Sequence, residues 1–158
     1  MRMSGDTYLV TGAMGCLGAW VIRLLLEDGC EVVAFDISED DRRHQLIIGS
    51  EDRRQIRYVK GDLTDSDQVM SAAEGVSRII HLGALQVPFC RADRPMGAAV
   101  NVVGTVNVFE AALRHSIEHL VYASSVAVFG NAEDYEVSTI EPGERRLPTT
   151  LYGIWKCA

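Results

Sequence analysis

The sequence predicts an α/β protein built on a doubly wound parallel sheet, and three observations support this prediction. Short apolar segments of strand length alternate with helical segments, a glycine-rich turn joins the first strand to the first helix, and an acidic residue ends the second strand. Right-handed crossovers arrange such a chain as one parallel sheet with helices on both faces. Because 158 residues suit one hydrophobic core, we expect residues 1–158 to form a single domain.

Each predicted strand is a short apolar run bounded by polar or turn-forming residues. Residues 31–35 (EVVAF) are almost entirely apolar, as expected for a strand of a parallel sheet that is covered on both faces. The five predicted strands are residues 8–10, 31–35, 56–59, 78–82 and 119–123.

Helical signals fill the intervals between these strands. We predict helices over residues 19–27, within the polar stretch 38–54, from an N-cap at Thr64 to about Glu74, and from Leu151 to the end of the chain. The longest predicted helix begins near Pro95, because proline suits a first helical turn. Its one apolar face consists of residues at three- and four-residue spacing: Ala98, Ala99, Val102, Val103, Val106, Phe109, Ala112 and Leu113.

The charge and the cysteine pattern argue against several classes of function. The net charge is −7, whereas nucleic acids and anionic membranes require a basic surface, so neither is expected as a partner. The four cysteines are scattered without a CxxC pair, which indicates a reduced intracellular protein. No apolar run reaches the roughly 20 residues that a membrane span requires, so we expect a cytoplasmic protein. His115 and His119 straddle a predicted helix end and strand start, and no metal site is expected there.

The glycine-rich turn between the first strand and the first helix predicts a phosphate-binding loop. Gly12 can make the tight turn, Gly15 lets the backbone approach a pyrophosphate, and Gly18 lets helix and strand pack closely. The helix N-terminus then offers unpaired N–H groups and the positive end of its dipole. Three glycines alone also fit an ordinary turn. Asp36 follows 18 residues after Gly18, where a carboxylate can accept hydrogen bonds from an adenosine ribose, and this order favours dinucleotide binding.

Asp36 also predicts NAD as the cofactor, because its charge would repel the 2′-phosphate of NADP. Arg42 and Arg43 lie nearby and could soften that preference, although a solvated helix face is the alternative we favour for them.

The remaining motifs resemble the extended branch of the short-chain dehydrogenase/reductase family, which includes epimerases and dehydratases such as UDP-galactose 4-epimerase. The GxxGxxG spacing of the glycines is typical of this family, whose nucleotide-binding domain has Rossmann topology. Further along the chain, the motifs at residues 61–63 (GDL), 81–84 (HLGA), 101–105 (NVVGT), 124–130 (SSVAVFG) and 152–156 (YGIWK) follow in the family's order. Phe129 replaces the tyrosine that is usual in the motif at residues 124–130.

This resemblance implies a set of residues that contact NAD. They are Gly12, Gly15, Cys16, Leu17, Gly18, Asp36, Asp62, Leu63, Leu82, Gly83, Ala84, Gln86, Asn101, Tyr152 and Lys156.

The resemblance also implies three catalytic residues, Ser125, Tyr152 and Lys156. Tyr152 and Lys156 stand one helical turn apart on one face, so that the ammonium can favour the phenolate and Tyr152 can move a proton. Ser125 would hydrogen-bond the substrate oxygen, and it is preferred to Ser124 because it lies five residues before Gly130, as the family's serine does. The expected reaction is hydride transfer between a substrate carbinol carbon and the nicotinamide.

The expected substrate is a sugar nucleotide or a related hydroxy compound, with a homodimer left open. Sugar-nucleotide dehydratases carry acidic residues directly after the serine, whereas Val126 and Ala127 stand here, so an epimerase or a simple dehydrogenase is favoured. Only two residues follow Lys156, and we therefore expect the chain to end before the family's C-terminal substrate domain. The alternative hypothesis is a truncated, catalytically silent nucleotide-binding fragment or an interaction module.

Overall fold

The computed structural model describes residues 5–158, which fall into two compact units. The first unit comprises the chain up to Gly83 together with Gly104–Ala123, and the second comprises Ala84–Val103 together with Ser124–Ala158. The interpretation of residues 1–158 as one NAD-binding domain stays a prediction.

The first unit contains a five-stranded, entirely parallel sheet, which confirms the predicted fold class. The strands are β1 Thr7–Thr11, β2 Glu31–Asp36, β3 Ile56–Lys60, β4 Arg78–His81 and β5 His119–Tyr122. Their order in the sheet is β3-β2-β1-β4-β5, so the chain winds outward to β3 and then returns across β1 to the opposite edge. Because the direction of winding reverses after β3, right-handed crossovers place the first unit's helices that follow β1 and β2 on one face and those that follow β3 and β4 on the other.

Eight α-helices occur in the described residues, five of them in the first unit and three in the second. They are α1 Cys16–Glu27, α2 Arg42–Ile47, α3 Ser50–Arg53, α4 Ser66–Ala72, α5 Val87–Ala92, α6 Arg94–Ala98, α7 Gly104–Arg114 and α8 Leu151–Cys157. In the first unit α1 packs against β1, β2 and α2, while α4 packs against α7, which lies on β4. The core between them contains fully buried apolar side chains such as Leu9, Val10 and Phe35.

The N-cap of α4 is Asp65, and the predicted cap at Thr64 is wrong. The carboxylate of Asp65 accepts hydrogen bonds from the backbone N–H groups of Asp67 and Gln68. Thr64 instead donates from its backbone N–H and its hydroxyl to one carboxylate oxygen of Asp62. A carboxylate one residue further along caps the helix and also complements its positive end.

The long helix predicted near Pro95 is present, but four large residues of its predicted apolar face are exposed to solvent. It runs over 21 residues, Arg94–Arg114, and contains a π-helical turn at Ala99–Val103 between α6 and α7. Within α7 the buried positions are small or medium-sized, namely Gly104, Val108, Ala111 and Ala112. Four large members of the predicted apolar face are between 43% and 73% exposed: Val103, Val106, Phe109 and Leu113.

By length and mean hydropathy alone, the Arg94–Arg114 helix is long enough and apolar enough to cross a membrane. Its sequence contains no continuous apolar run of membrane-span length, because Asn101, Asn107 and Glu110 interrupt it. Within the first unit the amide of Asn107 donates to the backbone carbonyl of Leu63. Helices that pack inside globular proteins pass the same test of length and composition.

The second unit consists of α5, α6, the π-helical turn, two short 3₁₀ turns and α8. The 3₁₀ turns are Val126–Val128 and Ala132–Asp134. Thr150 caps α8 by accepting a hydrogen bond from the backbone N–H of Gly153. The indole of Trp155 lies directly on Gly97, where a β-carbon would overlap it, so α6 and α8 meet at a position that only glycine allows.

Candidate functional site

The glycine loop after β1 has the tight turn and the close helix packing that Gly12 and Gly18 predict. Gly12 has a φ of +69°, and a β-carbon there would lie 2.7 Å from the backbone nitrogen of Gly83. A β-carbon on Gly18 would overlap the carbonyl oxygen of Gly12, so the first turn of α1 packs directly on the loop. Both positions therefore require glycine, one for its backbone angle and contact and the other for contact alone.

The N-terminus of α1, at Cys16 and Leu17, is arranged to receive an anion. Gly15 stands at the N-cap, no side chain among residues 5–158 caps the helix, and its first turn carries no acid. The first backbone N–H groups of a helix have no intrahelical acceptor, and the helix dipole adds positive potential there. This end of α1 can therefore bind a phosphate group.

Asp36 ends β2, and backbone hydrogen bonds fix its carboxylate. One oxygen, Oδ2, accepts from the backbone N–H of Met14 at 3.0 Å, and the other, Oδ1, accepts from the N–H of Ser38 at 2.9 Å. Each carboxylate oxygen can accept a further hydrogen bond. Asp36 is therefore oriented by the glycine loop itself and keeps acceptor capacity for a ribose hydroxyl.

The two arginines of α2 have different partners. Arg42 is highly exposed and pairs with Asp40, with a shortest N–O distance of 2.6 Å, and its hydrogen bonds hold the pKa of Asp40 below its ordinary value. Arg43 donates from Nη1 to the backbone carbonyl of Met14 at 3.0 Å. Arg42 thus lies on a solvated face as favoured, whereas Arg43 contacts the glycine loop.

The segments after β3 and β4 lie beside the glycine loop in the first unit. A β-carbon on Gly83 would be 2.7 Å from Cδ1 of the buried Leu63, and the N–H of Gly83 donates to Oγ1 of Thr11 at 3.1 Å. The carboxylate of Asp62 accepts from Thr64 and shapes the turn. Four predicted cofactor residues, Asp62, Leu63, Leu82 and Gly83, therefore belong to the loops at the carboxyl ends of β3 and β4, the edge of the sheet where ligands bind in this fold.

Asn101 lies in the π-helical turn of the second unit, and its amide is used within that unit. Its Oδ1 accepts from the N–H of Leu85 at 2.8 Å, and its Nδ2 donates to the Leu85 carbonyl at 2.9 Å and to Sγ of Cys90 at 3.3 Å. Asn101 thus holds the backbone between Ala84 and Gln86, both also predicted cofactor residues. A π-helical turn often marks a functional position, and here it carries this amide.

The three predicted catalytic residues also belong to the second unit. Ser125 caps the first 3₁₀ turn, its Oγ accepting from the N–H of Ala127 at 3.2 Å. Tyr152 and Lys156 lie on one face of α8, with the Lys156 Nζ 5.9 Å from the centre of the Tyr152 ring. Lys156 is only 7% exposed, and this burial lowers its pKa to about 8.

Gly153 brings α8 against the turn that carries Ser125. A β-carbon at this position would overlap the carbonyl oxygen of Ala127 and would stand 3.0 Å from Cβ of Pro148. The helix bearing Tyr152 therefore touches the turn that follows Ser125. Ser124, the alternative serine, is exposed.

Two residues around the loop were missed in the sequence analysis, Thr11 and His44. Thr11 is fully buried, and its Oγ1 lies 2.6 Å from Nδ1 of His81. His44 is fully buried although it belongs to a six-residue helix rich in polar residues, and its Nε2 lies 2.9 Å from the Ala13 carbonyl. No local pattern identifies either residue, because their partners are far away in the chain.

Over the residues described, 5–158, no group of three histidine, cysteine or acidic side chains is placed to hold a metal ion.

Comparison with known proteins assigns the family. The sequence model of the 3-beta hydroxysteroid dehydrogenase/isomerase family matches residues 9–149, a range that contains the glycine loop, Asp36 and Ser125. The chain belongs to this family. Like the epimerases named above, the 3-beta hydroxysteroid dehydrogenase/isomerase family is NAD-dependent and epimerase/dehydratase-like, which confirms the resemblance.

The relatives of this chain include an epimerase and a hydroxysteroid dehydrogenase. The UDP-glucose 4-epimerase of Mycolicibacterium smegmatis is 36% identical over 153 residues, covering 95% of this chain and 48% of the relative. The mouse 3 beta-hydroxysteroid dehydrogenase type 7 is 35% identical over 126 residues, covering 78% of this chain and 33% of the relative. The chain thus spans less than half the length of either protein.

The fold agrees with a solved epimerase structure. The Thermus thermophilus UDP-glucose 4-epimerase, in complex with NAD, has a TM-score of 0.81 and 26% identity to this chain. The match covers 95% of this chain and 47% of the epimerase.

Proposed function

We propose that this chain is the NAD-binding part of an oxidoreductase or epimerase that transfers a hydride at a secondary alcohol or ketone of a small molecule. The observation that supports this most is the buried ammonium of Lys156 beside the Tyr152 ring, on a helix that packs against the turn after Ser125. A buried lysine and a tyrosine at this spacing form an acid–base pair that a structural helix does not need.

The cofactor is NAD. The uncapped N-terminus of α1 and the glycine loop bind the pyrophosphate, and the fixed carboxylate of Asp36 binds the adenosine ribose. The remaining proposed contacts are Asp62, Leu63, Leu82, Gly83, Ala84, Gln86 and Asn101, together with Tyr152 and Lys156. The NAD-bound neighbour of similar fold supports this assignment.

Tyr152 transfers the proton. When bound, NAD supplies the hydride acceptor for oxidation and NADH the hydride donor for reduction. During oxidation Tyr152 accepts the proton of the substrate hydroxyl, and during reduction it returns a proton to the carbonyl oxygen, so atoms and charges balance. Lys156 favours the phenolate form that accepts this proton. Ser125, whose Oγ accepts from the N–H of Ala127, directs its own O–H to the substrate oxygen.

The proposed substrate is a sugar nucleotide, supported by the Mycolicibacterium epimerase, which matches 95% of this chain. A 3-beta-hydroxysteroid is the second candidate, because the matching family model and the mouse relative carry that name. Both substrates present a secondary alcohol, so the same three residues serve either reaction.

The test measures NAD binding by calorimetry and then turnover with UDP-glucose, UDP-galactose and a 3-beta-hydroxysteroid. The chain is assayed alone and as a fusion to the C-terminal half of the Mycolicibacterium epimerase. We expect NAD binding by both proteins and turnover of a UDP-sugar by the fusion. Steroid oxidation alone would assign the second candidate, and NAD binding without turnover by either protein would favour the silent nucleotide-binding fragment.

We also propose that the chain forms a homodimer in the cytoplasm. The homodimer is supported by the exposed Val106, Phe109 and Leu113 of α7, which form an apolar surface of the kind that marks an interface. The cytoplasmic location is supported by the four cysteines, which are free thiols as in a reducing compartment. Light scattering should give twice the chain mass for the wild type and the monomer mass for Phe109→Glu. Recovery of the expressed protein in the membrane fraction would contradict the cytoplasmic assignment.

A further inference from the structure

Two residues of the glycine loop have all four of their backbone polar atoms bonded to β2 and α2. They are Ala13 and Met14, which lie between Gly12 and Gly15. The N–H of Ala13 donates to the carbonyl of Phe35 at 3.3 Å, and the N–H of Met14 donates to Asp36 at 3.0 Å. Their carbonyl oxygens are held by side chains of two adjacent residues of α2, Arg43 and His44.

The hydrogen bond of His44 is fixed by chemistry. A carbonyl oxygen only accepts, so the ring nitrogen Nε2, 2.9 Å from the Ala13 oxygen, must carry the hydrogen. The other nitrogen, Nδ1, lies 3.0 Å from the hydroxyl of Tyr58 on β3. The ring is fully buried and both nitrogens are used, so His44 connects the loop to β3.

We propose that Arg43 and His44 are positioning residues that hold the glycine loop in the shape that receives the dinucleotide. The inference rests on the proposed binding of NAD. Loops that contain several glycines have many conformations in the absence of restraint, and fixing them before binding raises affinity. The restraint falls on the residues that join the Gly12 turn to the start of α1, where the pyrophosphate is proposed to bind.

The same geometry assigns Arg43 a role different from that of a receptor for the 2′-phosphate of NADP. Its guanidinium donates to the Met14 carbonyl, and the Met14 N–H donates to Asp36. Arg43 therefore stabilises the loop that orients the Asp36 carboxylate. Removing Arg43 should weaken NAD and NADP alike, whereas removing a phosphate receptor would weaken NADP alone.

The experiment compares variants of α2 by calorimetry with NAD and NADP, with urea unfolding measured on each. Arg43→Ala and His44→Leu should each weaken NAD binding by about three- to tenfold, the range expected for one lost hydrogen bond. His44→Gln keeps an N–H donor and should recover at least half of that loss on a logarithmic scale. The ratio of NAD to NADP affinity should stay within twofold for Arg43→Ala.

Two matched variants separate positioning from general stability. Arg42→Ala removes the neighbouring arginine, whose partner is Asp40, and His115→Leu removes a histidine whose Nε2 lies 3.1 Å from the Met70 carbonyl in another part of the first unit. Both should leave NAD affinity within twofold. Amide exchange of Met14 and Gly15 in the free protein should accelerate in Arg43→Ala and His44→Leu and not in the two controls.

Arg43 is exposed, so Arg43→Ala tests the inference even if His44→Leu does not fold. The inference is overturned if Arg43→Ala weakens only NADP, or if it changes neither NAD affinity nor loop exchange. It is also overturned if His115→Leu weakens NAD as much as His44→Leu does. Absence of NAD binding by the wild type would overturn the proposed function, and this inference with it, and is recognised before any variant is compared.

Discussion

Gly153 lies so close to Ala127 that a β-carbon on it would overlap the Ala127 carbonyl oxygen. This contact joins the helix that carries Tyr152 to the turn that begins after Ser125. The YxxxK spacing specifies which residues share a helical face, but it does not specify how near that face lies to the serine. In this chain the distance depends on the absence of one methyl group.

Gly153→Ala should therefore reduce turnover in the active fusion by at least tenfold and destabilise the chain by about 1–3 kcal/mol, since overpacking forces the backbone to shift. Gly143→Ala is the matched control, because no atom lies within 4 Å of a β-carbon at that position. The measurements are initial rates and urea unfolding. Equal behaviour of the two variants would show that α8 can move away from the turn without consequence.

NAD should bind more tightly than NADP, and Asp36→Ala should reduce the difference between the two affinities. The substitution removes both a ribose hydrogen bond and the charge that repels a 2′-phosphate. Side-by-side calorimetry of the two cofactors on wild type and variant provides the comparison. Equal affinities in the wild type would contradict the role of Asp36.

Tyr152→Phe should abolish turnover in the fusion and leave NAD affinity within about threefold. The ring still packs on α8, but the transferable proton is gone, and general acid–base catalysis contributes about a hundred- to ten-thousandfold. Single-turnover rates and calorimetry on the same preparation separate the two effects. A loss of rate below tenfold would remove Tyr152 from the proposed mechanism.

The buried Lys156 should make stability rise with pH between about 8 and 10.5. Its folded pKa, about 8, lies below the 10.5 of an unburied lysine, so in this window the unfolded chain binds a proton that the folded chain does not. The folded state carries the full penalty of the buried ammonium below pH 8 and is relieved of it as the pH rises.

Urea unfolding at pH 7.5 and 9.5 measures this contribution. The free energy of unfolding of the wild type should increase by about 1–2 kcal/mol between these pH values, and Lys156→Met should not show this increase. The difference between the two proteins isolates Lys156 from Cys30 and Cys90, whose pKa values are raised by burial. An identical pH dependence in the wild type and the variant would rule out a depressed lysine pKa.

The strands and the glycine loop were predictable because their signals are local. Each strand is a short apolar run, and the constraint at Gly12 appears in the sequence as a glycine between a strand and a helix. Neighbouring side chains along the chain are sufficient to recognise such features, and the structure confirms the five strands with no boundary shifted by more than one residue.

The contacts that shape the loop were not predictable, because they depend on pairs far apart in the chain. His44 and Ala13 are 31 residues apart, and His44 lies in a stretch whose polarity predicts an exposed helix. A polar residue becomes buried when a backbone carbonyl needs a donor, and that need appears only once β2 and the loop are side by side. The N-cap at Asp65 instead of Thr64 is a smaller error, since both residue types cap helices.

The orientation of α7 was also not predictable from the sequence, because periodicity identifies an apolar face but does not show which face packs against the sheet. Gly104 lies against Leu63 so closely that a β-carbon there would be 2.8 Å from the Leu63 Cβ. Small residues permit this approach, and the larger Val106 and Phe109 remain outside.

Saturation mutagenesis of α7 should therefore show more tolerance to substitution at its large exposed apolar positions than at its small buried positions. Large exposed apolar residues such as Leu113 should tolerate substitution by lysine or glutamine without loss of folding. The smaller change Ala111→Val should destabilise the fold, because Ala111 is buried. A hydrophobicity scale applied to this helix would place Val106, Phe109 and Leu113 in the core, whereas all three are exposed. Engineering for solubility could then begin at its largest residues, leaving the smallest untouched.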